Sequence, residues 1–275
     1  MKSKVALVKG ERGLDPVYNA IDMIPFEEAL EAWNRVLIKV NFITTKDWKT
    51  GATTDPIVVE GIINRLRELN KEIYVVESDA QTTNADKAVA ASGMQEMLDR
   101  VGVDFINMRH LEDKVMIPIQ DGKTLKEIKV AKIATESAII SAAKLKTHTT
   151  TKVTLGMKNM FGMLTTKWKG KFHLKDMDKV IHDINSVLPP HVVIIDGFVG
   201  MEGKGPVHGR PVKMNTVIAG TDPVATDATA AAIMGFDPNE INHIIWSHKS
   251  GIGNLDDIEI VGSKIEDIIR PFDRL

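Results

Sequence analysis

The sequence of 275 residues contains no cysteine, and only 5% of its residues are aromatic. The lack of cysteine excludes disulfides, thiolate nucleophiles, cysteine-ligated zinc and any iron–sulfur cluster held by this chain. No apolar run approaches the roughly 20 residues that a membrane-spanning helix needs. The first apolar run, residues 5–8, is also too short for a signal peptide. We therefore expect a cytoplasmic protein without a membrane partner.

Acidic residues are missing from one long internal segment, although the formal net charge of the chain is only −2. Between Ser137 and Lys175 there is no Asp or Glu, and lysines recur throughout. A basic segment in a slightly acidic chain indicates a local anion-binding surface. Residues 144–152 are rich in lysine and threonine, and we expect a helix to begin near Thr150 and to add its free N–H groups to the site. Residues 167–175 are more typical of a solvated basic face.

Short β-branched runs alternate with helical patterns along the chain. Continuous apolar strands joined by helices predict an α/β fold with a mainly parallel sheet and helices on both faces. Asp55 and Asp222 each precede a proline and are expected to cap the first turn of a helix. Residues 115–133 predict a small β excursion, a hairpin around Asp121 and Gly122. Because there is no repeat or linker, we expect a single domain over residues 1–275.

Four loops follow predicted strands, at residues 41–54, 78–83, 144–154 and 197–209. In a parallel sheet, such loops gather at the edge formed by the carboxyl ends of the strands, where ligands bind. The glycine-rich loop 197–209 is interpreted either as a ligand lid or as a mobile surface loop. It matches neither the dinucleotide-binding fingerprint nor the Walker A pattern.

Polar residues near these strand ends are the candidates for the site. His148 is a candidate proton carrier, and Lys158 a candidate nucleophile or cationic catalyst. No histidine spacing typical of a metal site occurs, so the sequence does not indicate which metal, if any, binds. A metal bridging Asp79 and Glu202 to a bound anion is an alternative. The candidate ligand-binding residues are Lys39, Asn41, Asp79, Lys146, Thr147, Asn159, His173, Glu202 and His208.

Several motifs follow one another in order along nearly the whole chain. They are VLIKVNF (36–42), TTDP (53–56), ESD (77–79), KLKTH (144–148), TLGMKNMFG (154–162), DG and GMEG within 196–203, GPVHG (205–209) and AGTDPVA (219–225). Together they resemble the family known as domain of unknown function 362. Members of that family often carry a cysteine-rich, ferredoxin-like segment, which this sequence lacks. The resemblance therefore implies an iron–sulfur role here only if a partner supplies the cluster.

Residues 133–162 are also remotely similar to the cofactor-binding domain of nickel-pincer lactate racemases. There, a buried strand is followed by a histidine and then by a cofactor-carrying lysine, and His148 and Lys158 have the corresponding spacing. His173 stands roughly where a further histidine falls. The racemase histidine after the earlier strand has no counterpart near Asp79, so the similarity implies only a shared location of the site.

Three functions compete. The first is binding of a small anionic molecule or cofactor at the predicted edge, as an enzyme whose reaction the sequence leaves open. The second is a non-catalytic redox or metallocentre accessory protein that docks a ferredoxin-like partner. The third, nucleic-acid binding, ranks last because few aromatic residues interleave with the lysines, so few side chains could stack on bases.

Overall fold

The computed structural model describes residues 2–166 and 169–274, without the side chains of Lys171 and His173. The strands are β1 (Ser3–Lys9), β2 (Arg35–Lys39), β3 (Glu72–Glu77), β4 (Asp104–Asn107), β5 (Lys114–Pro118), β6 (Glu127–Ala131), β7 (Ala138–His148), β8 (Lys152–Thr154), β9 (Val192–Glu202), β10 (Arg210–Gly220) and β11 (Ile258–Gly262). The α-helices are α1 (Leu14–Asp22), α2 (Phe26–Leu30), α3 (Pro56–Glu68), α4 (Ala85–Ala91), α5 (Met94–Val101), α6 (Gly156–Asn159), α7 (Met177–Val187), α8 (Pro223–Ile233) and α9 (Asn242–Lys249).

The main sheet has the strand order β11-β1-β10-β9-β7-β2-β3-β4, and β8 pairs with the end of β7. The central strands β9, β7, β2, β3 and β4 are all parallel to their neighbours in this order. Only β10, between β1 and β9, and the short β8 are antiparallel to the strands they pair with. The predicted α/β fold with a mainly parallel sheet is confirmed. The predicted excursion is the separate antiparallel pair β5 and β6.

Both faces of the sheet are covered, because alternate residues of its strands enter different apolar clusters. In β2, Val36 and Ile38 pack with residues of α1, α3, α4 and α5 on one face. Leu37 packs on the other face with residues of α7 and of the β5–β6 hairpin. In β9, Val193 and Ile195 pack with residues of α8 and α9. Continuous apolar strands are the pattern that such two-sided burial requires.

Two aspartates begin helices in the predicted way. The Asp55 carboxylate accepts a hydrogen bond from the N–H of Ile57, and Pro56 occupies the first turn of α3. The Asp222 carboxylate accepts from the N–H groups of Val224 and Ala225 at the start of α8. Each cap satisfies donors that the helix itself leaves open.

The helix predicted near Thr150 is wrong. The chain instead turns at residues 149–151 and returns as β8, which pairs with the end of β7. Three consecutive threonines have β-branched side chains, which favour extended backbone over helix. The N–H groups of Thr150 and Thr151 are directed at the His148 ring. The next helix, α6, begins only at Gly156, so no helix dipole acts at Thr150.

The loop predicted from Gly197 is also wrong in its first half, because β9 continues to Glu202 and pairs with β10. Its glycines permit close packing between strands. A Cβ atom at Gly200 would lie 2.8 Å from the carbonyl oxygen of Leu145 in the neighbouring strand β7. Glycine within a strand commonly marks such a close approach. The irregular part of the segment is limited to residues 203–209.

Within the two described ranges, every helix falls short of the length and apolar character that crossing a bilayer requires.

Candidate functional site

A cavity of about 320 Å³ opens at the carboxyl ends of β2, β3 and β7. Parallel strands end at the same edge of a sheet, so the polar residues at those ends meet there. The short helix α6 and the loop containing Pro206 and Val207 complete the walls. The cavity brings together six of the candidate residues, which are Lys39, Asn41, Lys146, His148, Lys158 and Asn159.

The floor of the cavity is a buried ion pair. Lys39 Nζ lies 2.8 Å from Glu77 Oε1 and donates to Asn159 Oδ1 at 3.0 Å. Glu77 also accepts hydrogen bonds from the N–H groups of Phe42 and Ser78. Burial lowers the pKa of Lys39, and the neighbouring Glu77 charge opposes that shift. The pair compensates two charges that would otherwise be costly to bury.

Two asparagines connect this pair to a second lysine. Asn159 Oδ1 also accepts from Asn41 Nδ2 at 3.0 Å. Lys146 Nζ donates to Asn41 Oδ1 at 2.6 Å and to the carbonyl oxygen of Ala52 at 2.7 Å. The network fixes the position of the Lys146 amine at the cavity without giving it a carboxylate partner.

Positive charge is in excess at this site. Lys146, Lys158 and Lys169 line the cavity, and none of them forms an ion pair with a carboxylate of the described residues. Glu77, the one acidic residue among the described residues of the lining, is held by Lys39. Lys144, two residues before Lys146 in β7, forms an ion pair with the buried Asp196 at 2.6 Å. Lysine amines without counter-ions in a recessed cavity favour the binding of an anion.

The pKa values of these lysines reflect the same imbalance. Burial, together with the charges of Lys158 and Lys144, places the pKa of Lys146 well below its ordinary value. Burial lowers the pKa of Lys158 to about 8, although Asp178 opposes the shift. Burial lowers the pKa of Lys169 to about 7. An anion placed among these amines would restore their charged form.

The ring of His148 is held in one tautomer. Its Nδ1 atom accepts a hydrogen bond from the N–H of Thr150 at 3.1 Å, and the N–H of Thr151 is directed at the same atom at 3.4 Å. A nitrogen that accepts carries no proton, so the proton of the neutral ring is on Nε2. A general base would need a free lone pair on Nε2. The geometry therefore suits Nε2 as a donor of a hydrogen bond or a proton, and the role of His148 as a proton carrier stays a prediction.

A buried carboxylate holds the start of the helix that carries Lys158 and Asn159. Asp227 Oδ1 accepts from the N–H of Gly156 at 2.7 Å, and Oδ2 from the N–H of Met157 at 2.9 Å. Burial raises the pKa of Asp227 to about 7, and the two N–H groups oppose the shift. A helix of one turn has little stability of its own, so these bonds position α6 at the cavity.

Replacing Asp227 by alanine is expected to lower the free energy of unfolding by about 1–3 kcal/mol, because two buried N–H groups lose their acceptor. Asp227→Asn keeps one oxygen and should lose less. Urea denaturation of both variants measures the difference. Equal losses would show that the oxygen kept by asparagine contributes nothing, which would contradict the role given to these hydrogen bonds.

Other candidate residues lie outside the cavity. Asp79 instead accepts from the N–H of Ala85 and from Asn107 Nδ2, at the start of α4. Thr147 donates to the carbonyl oxygen of Gly203 and lines a neighbouring cavity of about 200 Å³. Asp79 and Thr147 therefore have structural partners in place of a ligand.

The remaining three candidates differ in position. Glu202 is held by Arg210, Arg270 and the N–H of Asp273 near the end of the chain. Its separation from Asp79 leaves no support for a metal bridging the two. His208 belongs to the loop beside Val207 but does not line the cavity. The side chain of His173 lies outside the described part of the structure.

Sequence reasoning missed two residues of the site, Glu77 and Lys169. Glu77 ends a buried strand, and the argument that selected Lys39 at the end of β2 would have selected it as well. Lys169 was assigned to a solvated face, but it is 5% exposed. Its Nζ donates to Ser78 Oγ at 2.5 Å. No local pattern distinguishes Lys169 from the exposed lysines near it, since its burial depends on contacts distant in sequence.

The fold and this cavity define an α/β protein with a lysine-rich site at the edge of a parallel sheet. Residues 36–232 match the model of a domain of unknown function (DUF362), and the chain belongs to this family, as its motifs predicted. The chain is also similar to the thylakoid-associated protein sll1697 of Synechocystis sp., with 25% identity over 226 residues, which are 80% of this chain and 68% of that protein. No solved structure matches. The remote similarity to lactate racemases stays a prediction.

Proposed function

We propose that the cavity binds a small organic anion or an anionic cofactor, and that the protein acts on it as an enzyme. The observation that carries this proposal is the set of three recessed amines, on Lys146, Lys158 and Lys169, without a carboxylate partner among the described residues. A bound carboxylate or phosphate would supply the missing negative charge. His148 and Asn41 add hydrogen-bonding groups at the same walls.

A cation alone fits these walls poorly. A hard cation needs several oxygen ligands, usually carboxylates, and the lining offers only Glu77, which already neutralises Lys39. Asp79, Asp86 and His110 come close enough together elsewhere to hold an ion. Arg109 lies 3.6 Å from Asp79, however, and its charge opposes a cation there.

The dimensions and the apolar walls favour a compact organic molecule. Pockets for small molecules usually measure about 300–1,000 Å³, and a cavity of about 320 Å³ lies at the lower end of that range. Phe42, Ile43 and Val207 contribute apolar surface beside the amines. A ligand with one charged end and a short carbon body would use both parts of the lining.

Thermal unfolding in a panel of anions tests the proposal. Sulfate, phosphate, acetate, malonate and citrate are compared with chloride at equal ionic strength. A ligand at about 100 times its Kd should add about 2.7 kcal/mol, which raises the Tm by about 5–10 °C in a chain of this size. Lys158→Met and Lys146→Met should lose most of this rise. Lys87→Met, which removes an exposed lysine of α4, should keep it.

The proposal is wrong if no anion changes the Tm and only divalent cations raise it. It is also wrong if Lys87→Met and Lys158→Met lose the same stabilisation, because the effect would then be general charge screening.

The alternative, an accessory protein for a ferredoxin-like partner, stays a prediction, as does the cytoplasmic location. The name of the related protein associates that protein with thylakoids. Cell fractionation of the native host with an antibody against this chain distinguishes a cytoplasmic from a membrane-associated protein.

A further inference from the structure

The lysines of the cavity differ in how their amines are held. Lys39 Nζ is bonded to Glu77, Asn159 and the carbonyl oxygen of Val40. Lys146 Nζ donates to Asn41 and Ala52. Lys169 Nζ donates to Ser78 Oγ and to the carbonyl oxygen of Gly162. These three amines are fixed by two or three acceptors each.

Lys158 is different. No described residue accepts a hydrogen bond from its Nζ atom, which lies 5.8 Å from the ring centroid of Phe161. The side chain is half-buried and lines the cavity. Among the described lysines of this cavity, Lys158 is therefore the one whose amine can reach a bound molecule without first breaking hydrogen bonds.

The state of the amine suits it for reaction. Burial lowers the pKa of Lys158 to about 8, so a sizeable fraction is neutral near neutral pH. A neutral lysine in a recessed site is a nucleophile toward carbonyl groups, whereas an ordinary surface lysine is almost fully protonated.

The neighbouring lysine indicates which carbonyl compound would fit. Lys146 and Lys158 line the same cavity, and Asn41, which accepts from Lys146 Nζ, also donates to Asn159, the residue next to Lys158. A carboxylate held by Lys146 would bring a carbonyl group on the adjacent carbon toward Lys158. That arrangement of a carbonyl group next to a carboxylate is the 2-oxo acid.

We infer that Lys158 forms a Schiff base with a small 2-oxo acid bound in the cavity, an inference that rests on the proposed anion site. The neutral amine adds to the carbonyl carbon, a C–N bond forms, and the carbonyl π electrons move to oxygen. The oxygen then leaves as water and takes both amine protons, which gives the imine. No oxidant or reductant is consumed. Lys146, whose amine has two acceptors and one N–H left to donate, holds the carboxylate during these steps.

Reductive trapping tests this inference on the full chain. The protein is incubated with pyruvate, glyoxylate, oxaloacetate or 2-oxoglutarate, each with sodium borohydride, and analysed by intact mass and peptide mapping. We expect one reduced adduct at Lys158 with at least one of these acids and none with acetone, which lacks the carboxylate. Lys158→Arg keeps the charge and should lose the adduct, while Lys87→Arg should keep it.

Anion-dependent stabilisation by the same acids, measured without borohydride, separates the two proposals. Stabilisation without any adduct at Lys158 would overturn the Schiff base and leave the anion site in place. The absence of both would overturn both. An adduct that persists in Lys158→Arg, or that spreads over exposed lysines of the wild type, would also contradict the assignment to Lys158. Mapping on the wild type gives this result even if the variant fails to fold.

Discussion

Replacing Glu77 by glutamine is expected to lower the free energy of unfolding by about 3–5 kcal/mol, because removal of one partner leaves a buried charge uncompensated. Glu77 is 4% exposed and lies 2.8 Å from Lys39. It also accepts the N–H groups of Phe42 and Ser78, and it opposes the lowered pKa values of Lys146 and Lys169. Urea denaturation at pH 7 measures the change.

A matched control lies on the same strand. Glu72, at the exposed start of β3, pairs with Arg35 at 2.8 Å on the surface. Glu72→Gln should cost less than about 1 kcal/mol, as exposed pairs do. Combining Glu77→Gln with Lys39→Met should recover part of the loss, since neither buried charge remains. Equal losses for the two glutamate variants would mean that the buried pair contributes no more to the free energy of unfolding than the exposed pair does.

Raising the pH from 7 to 9 is expected to weaken anion binding markedly. Burial lowers the pKa of Lys158 to about 8 and that of Lys169 to about 7. As the pH rises through these values, the free site loses its positive charge. Binding an anion then requires proton uptake, so the affinity falls by up to about tenfold per pH unit for each proton taken up. The sign is fixed because the anion stabilises the charged amines.

Calorimetric titration with sulfate, which does not titrate in this range, measures the slope of affinity against pH. Lys158→Arg keeps its charge at every pH tested and should give a shallower slope. An affinity that stays constant from pH 7 to pH 9 in the wild type would show that the lysines are fully charged before the anion binds. The electrostatic account of the site would then be wrong.

The same charge argument links these two experiments. Glu77 is the only carboxylate among the described lining residues, and it neutralises one lysine of four. Removing it destabilises the fold and takes away the charge that opposes the lowered pKa values of Lys39, Lys146 and Lys169. In Glu77→Gln protein that still folds, the loss of sulfate affinity should therefore begin at a lower pH than in the wild type.

The elements of the fold follow from short-range patterns in the sequence. Asp55 before Pro56 and Asp222 before Pro223 predict helix starts, because capping depends on residues two or three positions apart. The apolar strands predict a sheet covered on both faces. Lys39 and Asn41 could be selected because a polar residue at the end of a buried strand has to face a site or a partner.

Short-range patterns gave wrong predictions for two segments, the helix expected near Thr150 and the loop expected from Gly197. The threonines after His148 form a turn back onto β7, and the glycines after Asp196 lie within a strand. In both segments the local sequence allows a loop or a helix, and strand pairing decides the conformation. The hairpin partners are near in sequence, but β7 and β9 also pair with each other, as Lys146 does with Met201. That contact, distant in the chain, cannot be read from a local window.

The sequence by itself determined the fold class, the family, the edge of the sheet where the cavity lies and three of the four described lysines that line it. The tertiary structure decided which lysines carry uncompensated charge. Lys144 and Lys146 are two residues apart in β7, yet one is neutralised by Asp196 and the other is not. Lys39 meets Glu77 and Asn159 across 38 and 120 residues of chain. Charge compensation acts through space over a few ångströms, so only the folded chain shows which described amines lack a carboxylate partner.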